Sequence, residues 1–448
     1  MLTLDQAIDR TTDITTAARK AGADAADALY YCDASTSVDV RLGVLEDVQR
    51  AEGEEIGLRV FVGQRSASVS TSDFEPERLT ALVARAVAMA REAPEDRFAG
   101  LAPEDRLLDG DAPDLDLDDH SDVDPAALRA SALACEDAAR AVDGVTNSEG
   151  GSASHNRVRL ALATSHGFAR AYGQSSHAIS ASVLAGSGGN MQRDYDWHSA
   201  RYLADLDTPE AIGRSAGERA VARMSPGELP SKAMPVVFDP RVGGSLLGHL
   251  IGAISGSAIT RKTSFLLDAV GSQVFARGIS IIEEPHRLRG LASRPFDGEG
   301  LPTRRTAIVD DGMLGGWLLD SASARQLDLA PTGHASRGTH GSPGVSTGNL
   351  HIAPGEVSRA ALIADIKDGV LVTELIGHGV NGVTGDYSRG ASGFRIVDGE
   401  IAGPVAEFTI AGNLKDMYAN LVAADDLVFR YGTNVPSLRC DAMTVAGA

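Results

Sequence analysis

The 448-residue chain is too long for a single compact core, so we expect two domains. Its 43% hydrophobic and 23% charged residues are typical of a soluble globular protein. The net charge of −20 argues against a nucleic-acid partner, since phosphate binding needs clustered Lys and Arg and no basic run occurs.

The N-terminal residues 1–13 lack the basic and apolar segments of a signal peptide. No stretch approaches the roughly 18 apolar residues of a membrane helix. The three cysteines, Cys32, Cys135 and Cys440, are odd in number and far apart. We therefore expect a reduced, cytoplasmic protein with no membrane partner.

The first half of the chain alternates between helical and strand patterns. Helical apolar spacing predicts helices over Leu4–Ala21, from Pro76 to about Ala90, over Pro125–Val142, and from a Thr208 cap to about Met224. Strict alternation predicts antiparallel strands at 38–44 and 56–62, and further strands are expected at 157–164, 168–172 and 178–185.

The segment Ser225–Lys232 holds two prolines and a glycine, and the composition changes after it. We place the domain boundary here, giving domains 1–225 and 226–448. The second half shows one helix around Leu246–Ser255, then short strands with many glycines. The sequence predicts an α+β protein: an N-terminal antiparallel sheet with flanking helices, and a glycine-rich, mostly antiparallel C-terminal β domain with one helix.

Several short motifs are expected to be accidental matches. Gly377–Gly382 fits a dinucleotide-binding pattern, but turns and strand follow it instead of a helix. The GxSxG pattern at 213–217 and at 344–348 does not lie between a strand and a helix. Asp114, Asp116 and Asp118 lack the glycine and the final glutamate of a calcium loop.

The segment Val242–Gly256 looks like a zinc-peptidase helix without its metal ligands. A zinc site needs at least three ligands from His, Cys, Asp and Glu, and metallopeptidases usually take two from one helix with a Glu base between them. This segment contains only His249 and no carboxylate. We expect His249 to be satisfied by a neighbouring acceptor, and we predict no catalytic and no metal-binding residue.

Six phrases of the second half carry a resemblance to a known family. They are Arg261–Leu266 (RKTSFL), Arg294–Gly300 (RPFDGEG), Thr332–Arg337 (TGHASR), Thr347–Leu350 (TGNL), Val383–Ser388 (VTGDYS) and Ile410–Leu414 (IAGNL). In this order they resemble the TldD/PmbA family, often labelled "modulator of DNA gyrase", and specifically its PmbA (TldE) branch.

The resemblance implies a cytoplasmic zinc peptidase built from TldD and TldE subunits that cleaves short or unfolded peptides. The TldD branch binds zinc through HExxxH and a downstream cysteine. Those positions fall here on Gly248, His249 and Ala253, with the cysteine near Phe429–Arg430. The resemblance therefore implies no cofactor in this chain and a zinc ion in a TldD-type partner.

Our leading hypothesis is a non-catalytic subunit, inactive on its own, that shapes the peptide cleft of its partner. Candidate cleft residues are His249, Arg337, Asn381 and Asp386. Arg337 offers a bidentate fork for a substrate carboxylate, while Asn381 and Asp386 offer polar contacts. For these last three residues, a turn-stabilising role stays open.

Two alternatives remain at this stage. The first is a homodimeric binding or regulatory protein with no role in proteolysis, in line with the gyrase label. The second is an independent hydrolase built around His249, His334 and Asp386, which nothing in the spacing favours. His334 and His340 have no third ligand nearby and are expected to be ordinary loop histidines.

Overall fold

The computed structural model describes residues 1–447, without the side chain of Ala442. Helix accounts for 25% of the chain and strand for 39%, and the strands lie in sheets separate from the helical stretches, so the predicted α+β class is confirmed. The N-terminal half contains α1 (Leu4–Lys20), α2 (Pro76–Glu92), α3 (Pro125–Arg140), α4 (Pro209–Ala222), β1 (Ala25–Arg41), β2 (Val44–Val62), β3 (Arg65–Thr71), β4 (Val145–Thr164), β5 (Ala169–Ala185) and β6 (Gln192–Ala200).

These six strands form one antiparallel sheet in the order β3-β2-β1-β4-β5-β6. Side chains alternate between the faces of a strand, so one parity of β1 faces the helices. Ala28 and Tyr30 pack in a core with α1 and α2, while Val38 and Val40 pack with α3 and α4. Four helices therefore cover one face of a single sheet.

The opposite face of this sheet packs against the second half of the chain. Phe168 and Tyr172 contact Phe296, with ring centroids 5.1 and 5.4 Å apart. Gly57 of β2 lies directly against the main chain of Thr339, where a Cβ would come within 2.0 Å of the carbonyl oxygen. Only glycine permits this close approach.

The second half contains a larger number of short elements. They are α5 (Pro240–Ala253), α6 (Gly256–Thr260), α7 (Ser321–Leu327), α8 (Arg359–Ile363), α9 (Leu414–Ala419), β7 (Lys232–Phe238), β8 (Ile281–Glu283), β9 (Thr306–Asp310), β10 (Met313–Leu314), β11 (Ala335–Ser336), β12 (Gly344–Val345), β13 (Leu350–Ile352), β14 (Asp368–Val380), β15 (Asp386–Val397), β16 (Glu400–Asn413), β17 (Val422–Ala423), β18 (Thr433–Asn434) and β19 (Leu438–Ala446).

The main sheet of this half closes on itself. Its order is β16-β15-β14-β7-β19-β17, and β16 also pairs with β19, so that β7, β14, β15, β16 and β19 form a ring. Within the ring only β7 and β14 run parallel. A second sheet, β10-β9-β8-β13-β18, lies beside it. The core between them includes the buried faces of α5 and of the ring strands.

Two features of the sequence analysis are refined by this fold. β5 is one continuous strand rather than two, because its polar middle pairs along its whole length with β4 and buries Ser175 and His177. Helices α6 to α9 have five to seven residues each and show no helical periodicity over such lengths, so only α5 was predicted. None of the helices described in residues 1–447 is long and apolar enough to cross a membrane.

Candidate functional site

Helix α5 has one buried face and one open face. Asp239 caps its first turn and Pro240 occupies the first helical position, which favours a helix start here. Leu246, Leu247 and Leu250 are buried in the C-terminal core. On the open face Gly248 and Gly252 are exposed, and a Cβ at either position would meet nothing within 4 Å.

His249 lies between these two faces, over β15. Its ring packs against that of Tyr387, with centroids 6.0 Å apart at a steep angle. Burial lowers the pKa of the His249 imidazole, and the positive charges of Arg389 and His378 lower it further. A neighbouring acceptor was expected for this ring, but the buried Nε2 has no hydrogen-bond partner among residues 1–447.

The residues around α5 do not fit a zinc ion. The positions aligned with the three HExxxH residues are Gly248, His249 and Ala253, and of these only His249 is a zinc-binding residue type. Across the part of the chain that the structure describes, no three His, Cys, Asp or Glu side chains are grouped so that they could hold a metal ion. This donor set supports no metal-dependent step in this chain.

The segment aligned with the downstream cysteine makes aromatic and ionic contacts instead. Phe429 packs edge-on against His351 at 5.0 Å, and the Arg287 guanidinium lies 3.5 Å from the centre of its ring. Arg430 pairs with Asp207 at 2.6 Å. These side chains therefore join this loop to neighbouring elements.

A groove runs between α5 and β14, and we call it the α5–β14 groove. It holds a cavity of about 490 Å³ and is lined by Val242 and Ser245 of α5, Thr373, Glu374 and Leu375 of β14, Arg389 of β15, Arg241, and Arg193, Tyr195 and Arg223 from the N-terminal half. Ser245 is one helical turn before His249, so the groove and His249 share one side of α5.

Asn381 and Asp386 lie at the end of the β14–β15 hairpin that carries Tyr387, and both are exposed. The Asn381 carboxamide oxygen accepts hydrogen bonds from the backbone N–H groups of Val383 and Thr384. Asp386 accepts from the hydroxyl of Thr384 at 2.6 Å, and hydrogen bonds to its carboxylate lower its pKa. Their present contacts stabilise the turn, which was the alternative left open above.

Arg337 lies elsewhere, between the two halves of the chain. Its side chain is only 1% exposed and pairs with Asp27 of β1, which also receives a hydrogen bond of 2.5 Å from Arg59. The guanidinium already has an internal carboxylate partner, so this geometry favours a structural role. Of the four candidate residues, Asn381 and Asp386 lie on the hairpin whose Tyr387 packs against His249, whereas Arg337 lies elsewhere.

The remaining histidine and glycine motifs have structural explanations. His334 is buried, with Nε2 2.6 Å from Glu283 and Nδ1 2.8 Å from Thr332. It therefore belongs to a different part of the fold from His249. The GxSxG pattern in α4 places Gly213 and Gly217 against the α3 backbone, where a Cβ at Gly213 would lie 1.9 Å from a carbonyl oxygen of α3.

Models of the three domains of PmbA/TldA metallopeptidases match the chain. Domain 1 matches residues 26–90, the central domain 118–224 and the C-terminal domain 231–447. The chain belongs to the PmbA/TldD family. The resemblance stated from six sequence phrases is thereby confirmed.

Similar proteins from this family cover almost the whole chain. Metalloprotease PmbA of Escherichia coli O157:H7 is 41% identical over 92% of this chain and 90% of its own length. A PmbA homolog of Haemophilus influenzae is 39% identical over 96% of this chain and 94% of its own. A solved structure of a candidate modulator of DNA gyrase from Bacteroides thetaiotaomicron has a TM-score of 0.92 at 27% identity, with complete coverage of both chains.

Sequence reasoning missed the arginines of the α5–β14 groove. Arg193, Arg241 and Arg389 come from β6, α5 and β15, and Arg223 directly follows α4, so no local motif unites them. One signal was present: Arg389 directly follows the Val383–Ser388 phrase by which this PmbA/TldD chain was recognised.

Proposed function

We propose that this chain is the non-catalytic subunit of a two-protein zinc peptidase, in which a TldD-type partner supplies the metal. The observation that carries the proposal is the open face of α5, where Gly248 and Gly252 stand beside His249, and no group of three His, Cys, Asp or Glu side chains within residues 1–447 could hold a metal ion. A site that cannot hold zinc has neither a Lewis acid nor a metal-activated water. The chain is expected to be inactive on its own.

The edge of β14 supports a role in binding extended peptides. β14 pairs with β7 only at residues 370–372, so within residues 1–447 its continuation Thr373–Val380 has no strand partner on that side. An unpaired edge offers main-chain hydrogen bonds to an added strand, and such binding tolerates varied side chains. The glycine face of α5 beside this edge leaves room for a second backbone.

The outer edge of β2 supports association with another subunit. Residues 44–55 of β2 pair with β1 on one side, while β3 covers only 56–62 on the other. Val44, Leu45 and Val48 on this edge are 67%, 37% and 48% exposed. Apolar side chains on an unpaired edge favour pairing with a second chain, and the occupant we propose is the TldD-type subunit.

The domain division and the location of the protein remain parts of this proposal. Domains 1–225 and 226–448 are supported by the separate sheets and by the family match that begins at residue 231. A cytoplasmic location is supported by the three cysteines, which are buried and free.

The test uses the purified chain with and without a TldD-type protein. Bound zinc is measured by mass spectrometry, and cleavage is followed with an unfolded peptide. We expect no stoichiometric zinc in this chain, no cleavage by it alone, and cleavage by the mixture above that of the partner. Zinc-dependent cleavage by the chain alone would contradict the proposal.

The second candidate function is a homodimeric regulatory protein, which the gyrase-modulator description of the Bacteroides relative favours. Light scattering separates the two. A stable homodimer that does not exchange subunits with a TldD-type protein, and that adds nothing to its activity, would support the regulatory role.

A further inference from the structure

The α5–β14 groove contains an unusual concentration of arginines. Arg193 pairs with Glu149 at 2.5 Å, and Arg241 pairs with Asp194 at 2.7 Å. Arg223 lies 3.4 Å from the same Asp194 and also pairs with Glu374. Four guanidinium groups therefore face three carboxylates, and one positive charge is left in excess.

The unmatched charge belongs to Arg389. This side chain is only 8% exposed, and its one hydrogen bond within residues 1–447 runs from Nε to the carbonyl oxygen of Ile376 at 3.3 Å. None of the ion pairs among the described residues involves it. A buried guanidinium without an anion is costly, and Arg389 lines the cavity, so its two terminal nitrogens are suited to an external anion.

Neutral groups of the cavity wall fit the same ligand. The Thr373 hydroxyl is buried and has no hydrogen-bond partner among residues 1–447. Thr373 lies where the β14–β15 register is irregular, between Val372 and Glu374. Val242, Leu375 and the ring of Tyr195 supply apolar wall beside the charge. One excess charge, one free hydroxyl and an apolar wall match a carboxylate attached to an amino-acid side chain better than a phosphate dianion.

The cavity also lies where the end of a bound peptide would be. Thr373 and Leu375 belong both to its wall and to the free edge of β14. A peptide that adds to this edge and stops in the cavity brings its last residue to Arg389.

We propose that the α5–β14 groove binds the C-terminal carboxylate of a peptide, with Arg389 as its main ligand. Thr373 donates a hydrogen bond to the same group, and Tyr195 and Leu375 contact the last side chain. Arg193, Arg223 and Arg241 hold the pocket together through their own carboxylates. This inference rests on the proposed function in one respect, namely that the chain binds peptides.

The experiment compares three labelled unfolded peptides by fluorescence polarisation on the full-length chain. One ends in a free carboxylate, one ends in an amide, and one has an amide end and an internal aspartate. A bidentate, charge-assisted contact predicts that the free acid binds roughly tenfold or more tightly than either amide.

Variants assign this preference to a residue. Arg389→Gln is expected to bind acid and amide peptides equally, and Arg389→Lys to keep only part of the preference because lysine lacks the fork. Arg395→Gln is the matched control, since Arg395 lies on the same strand and pairs with Asp368 outside the groove. It should keep the full preference, and thermal melting checks that each variant is folded.

The outcomes separate this inference from the proposed function. Equal binding of acid and amide peptides by the wild-type chain would overturn the carboxylate site and leave the peptide-binding role intact. Equal binding of the acid and the internal-aspartate peptide would assign the site to side-chain carboxylates and overturn the C-terminal assignment. If inorganic phosphate displaces both peptides, and neither peptide displaces the other at the same concentration, the groove is a phosphate site instead. No binding of any peptide would contradict the carboxylate site and the peptide-binding part of the proposed function.

Discussion

A substitution of Arg337 distinguishes a structural role of this residue from a role in peptide binding. We predict that Arg337→Met destabilises the folded chain, because the substitution removes a buried cation that pairs with Asp27. Breaking a buried ion pair by deleting one partner costs about 3 to 5 kcal/mol. Asp27 keeps two further contacts of 3.2 Å and one of 2.5 Å from Arg59, so we expect the lower end, about 3 kcal/mol.

A matched control exists in the same chain. Arg395 pairs with Asp368 at 2.9 Å, and Asp368 keeps a second cation in Lys232 at 2.6 Å, just as Asp27 keeps Arg59. The side chain of Arg395 is 39% exposed rather than 1%, so Arg395→Met should cost less than about 1 kcal/mol. Burial is then the main difference between the two variants.

The assay is urea unfolding followed by tryptophan fluorescence and by far-UV circular dichroism. Trp197 packs against Tyr431 at 4.9 Å, so its fluorescence reports on the contact between the two halves of the chain. Coincident transitions of both probes would justify a single free energy of unfolding. If Arg337→Met is as stable as wild type and instead loses peptide binding, the structural interpretation of Arg337 is wrong.

Three further predictions concern other buried or open positions. Burial raises the pKa of Glu299 from 4.5 to about 7, so the folded state holds this proton more tightly and loses stability as pH rises between these values. Glu299→Gln should match wild type near pH 4, where the carboxyl is mostly protonated in both states, and should exceed it by about 3 kcal/mol near pH 9 in urea unfolding. Equal pH profiles would contradict this. Gly213→Ala should lower the free energy of unfolding by about 1 to 3 kcal/mol, because its Cβ meets the α3 backbone. Gly248→Ala should raise the free energy of unfolding by up to about 1 kcal/mol, because its Cβ meets nothing and alanine favours a helix. The opposite order would show that the buried face of α4 and the open face of α5 are misassigned. The pKa of the His249 imidazole should lie below its ordinary value of 6.5 in NMR titrations of labelled protein. Arg389→Gln should raise this pKa, because it removes a nearby positive charge. An unchanged pKa in the variant would show that the charge of Arg389 does not act on His249.

The sequence predicted best those helices and strands whose buried side chains recur at one regular spacing. The alternation at 56–62 and the stripe of α2 were sufficient, because each packs one regular face against the core. The strand predicted at 38–44 was too long, because the apolar alternation continues through the β1–β2 turn. Val38 and Val40 are buried, but β1 ends at Arg41, and Val44 is 67% exposed at the start of β2. The first half of β4, residues 145–156, was missed since it is polar and glycine-rich and gains its structure from pairing with β1 and β5. The amino-acid composition of such a segment does not predict its cross-strand hydrogen bonds.

The candidate site divided in the same way. The absence of zinc ligands on α5 was visible from residue types alone, and a turn-stabilising role for Asn381 and Asp386 was one of the alternatives left open. The burial of Arg337 could not be predicted from residue types, because its partner Asp27 lies about 310 positions earlier in the chain. The arginine cavity was hidden for the same reason, as its four arginines come from widely separated parts of the chain.

The closed ring of strands has a consequence for how the protein is made. β7 begins at Lys232, and β19, which joins it to β16, ends at Ala446. Until the ribosome has released this last strand, β7 and β16 each carry an unsatisfied edge that can pair with another nascent chain. The N-terminal sheet has all its strands by β6 and all its covering helices by α4, so it can fold much earlier. Loss of β19 is thus expected to leave a well-folded first half joined to an aggregation-prone second half, and cells would have to protect this interval during synthesis.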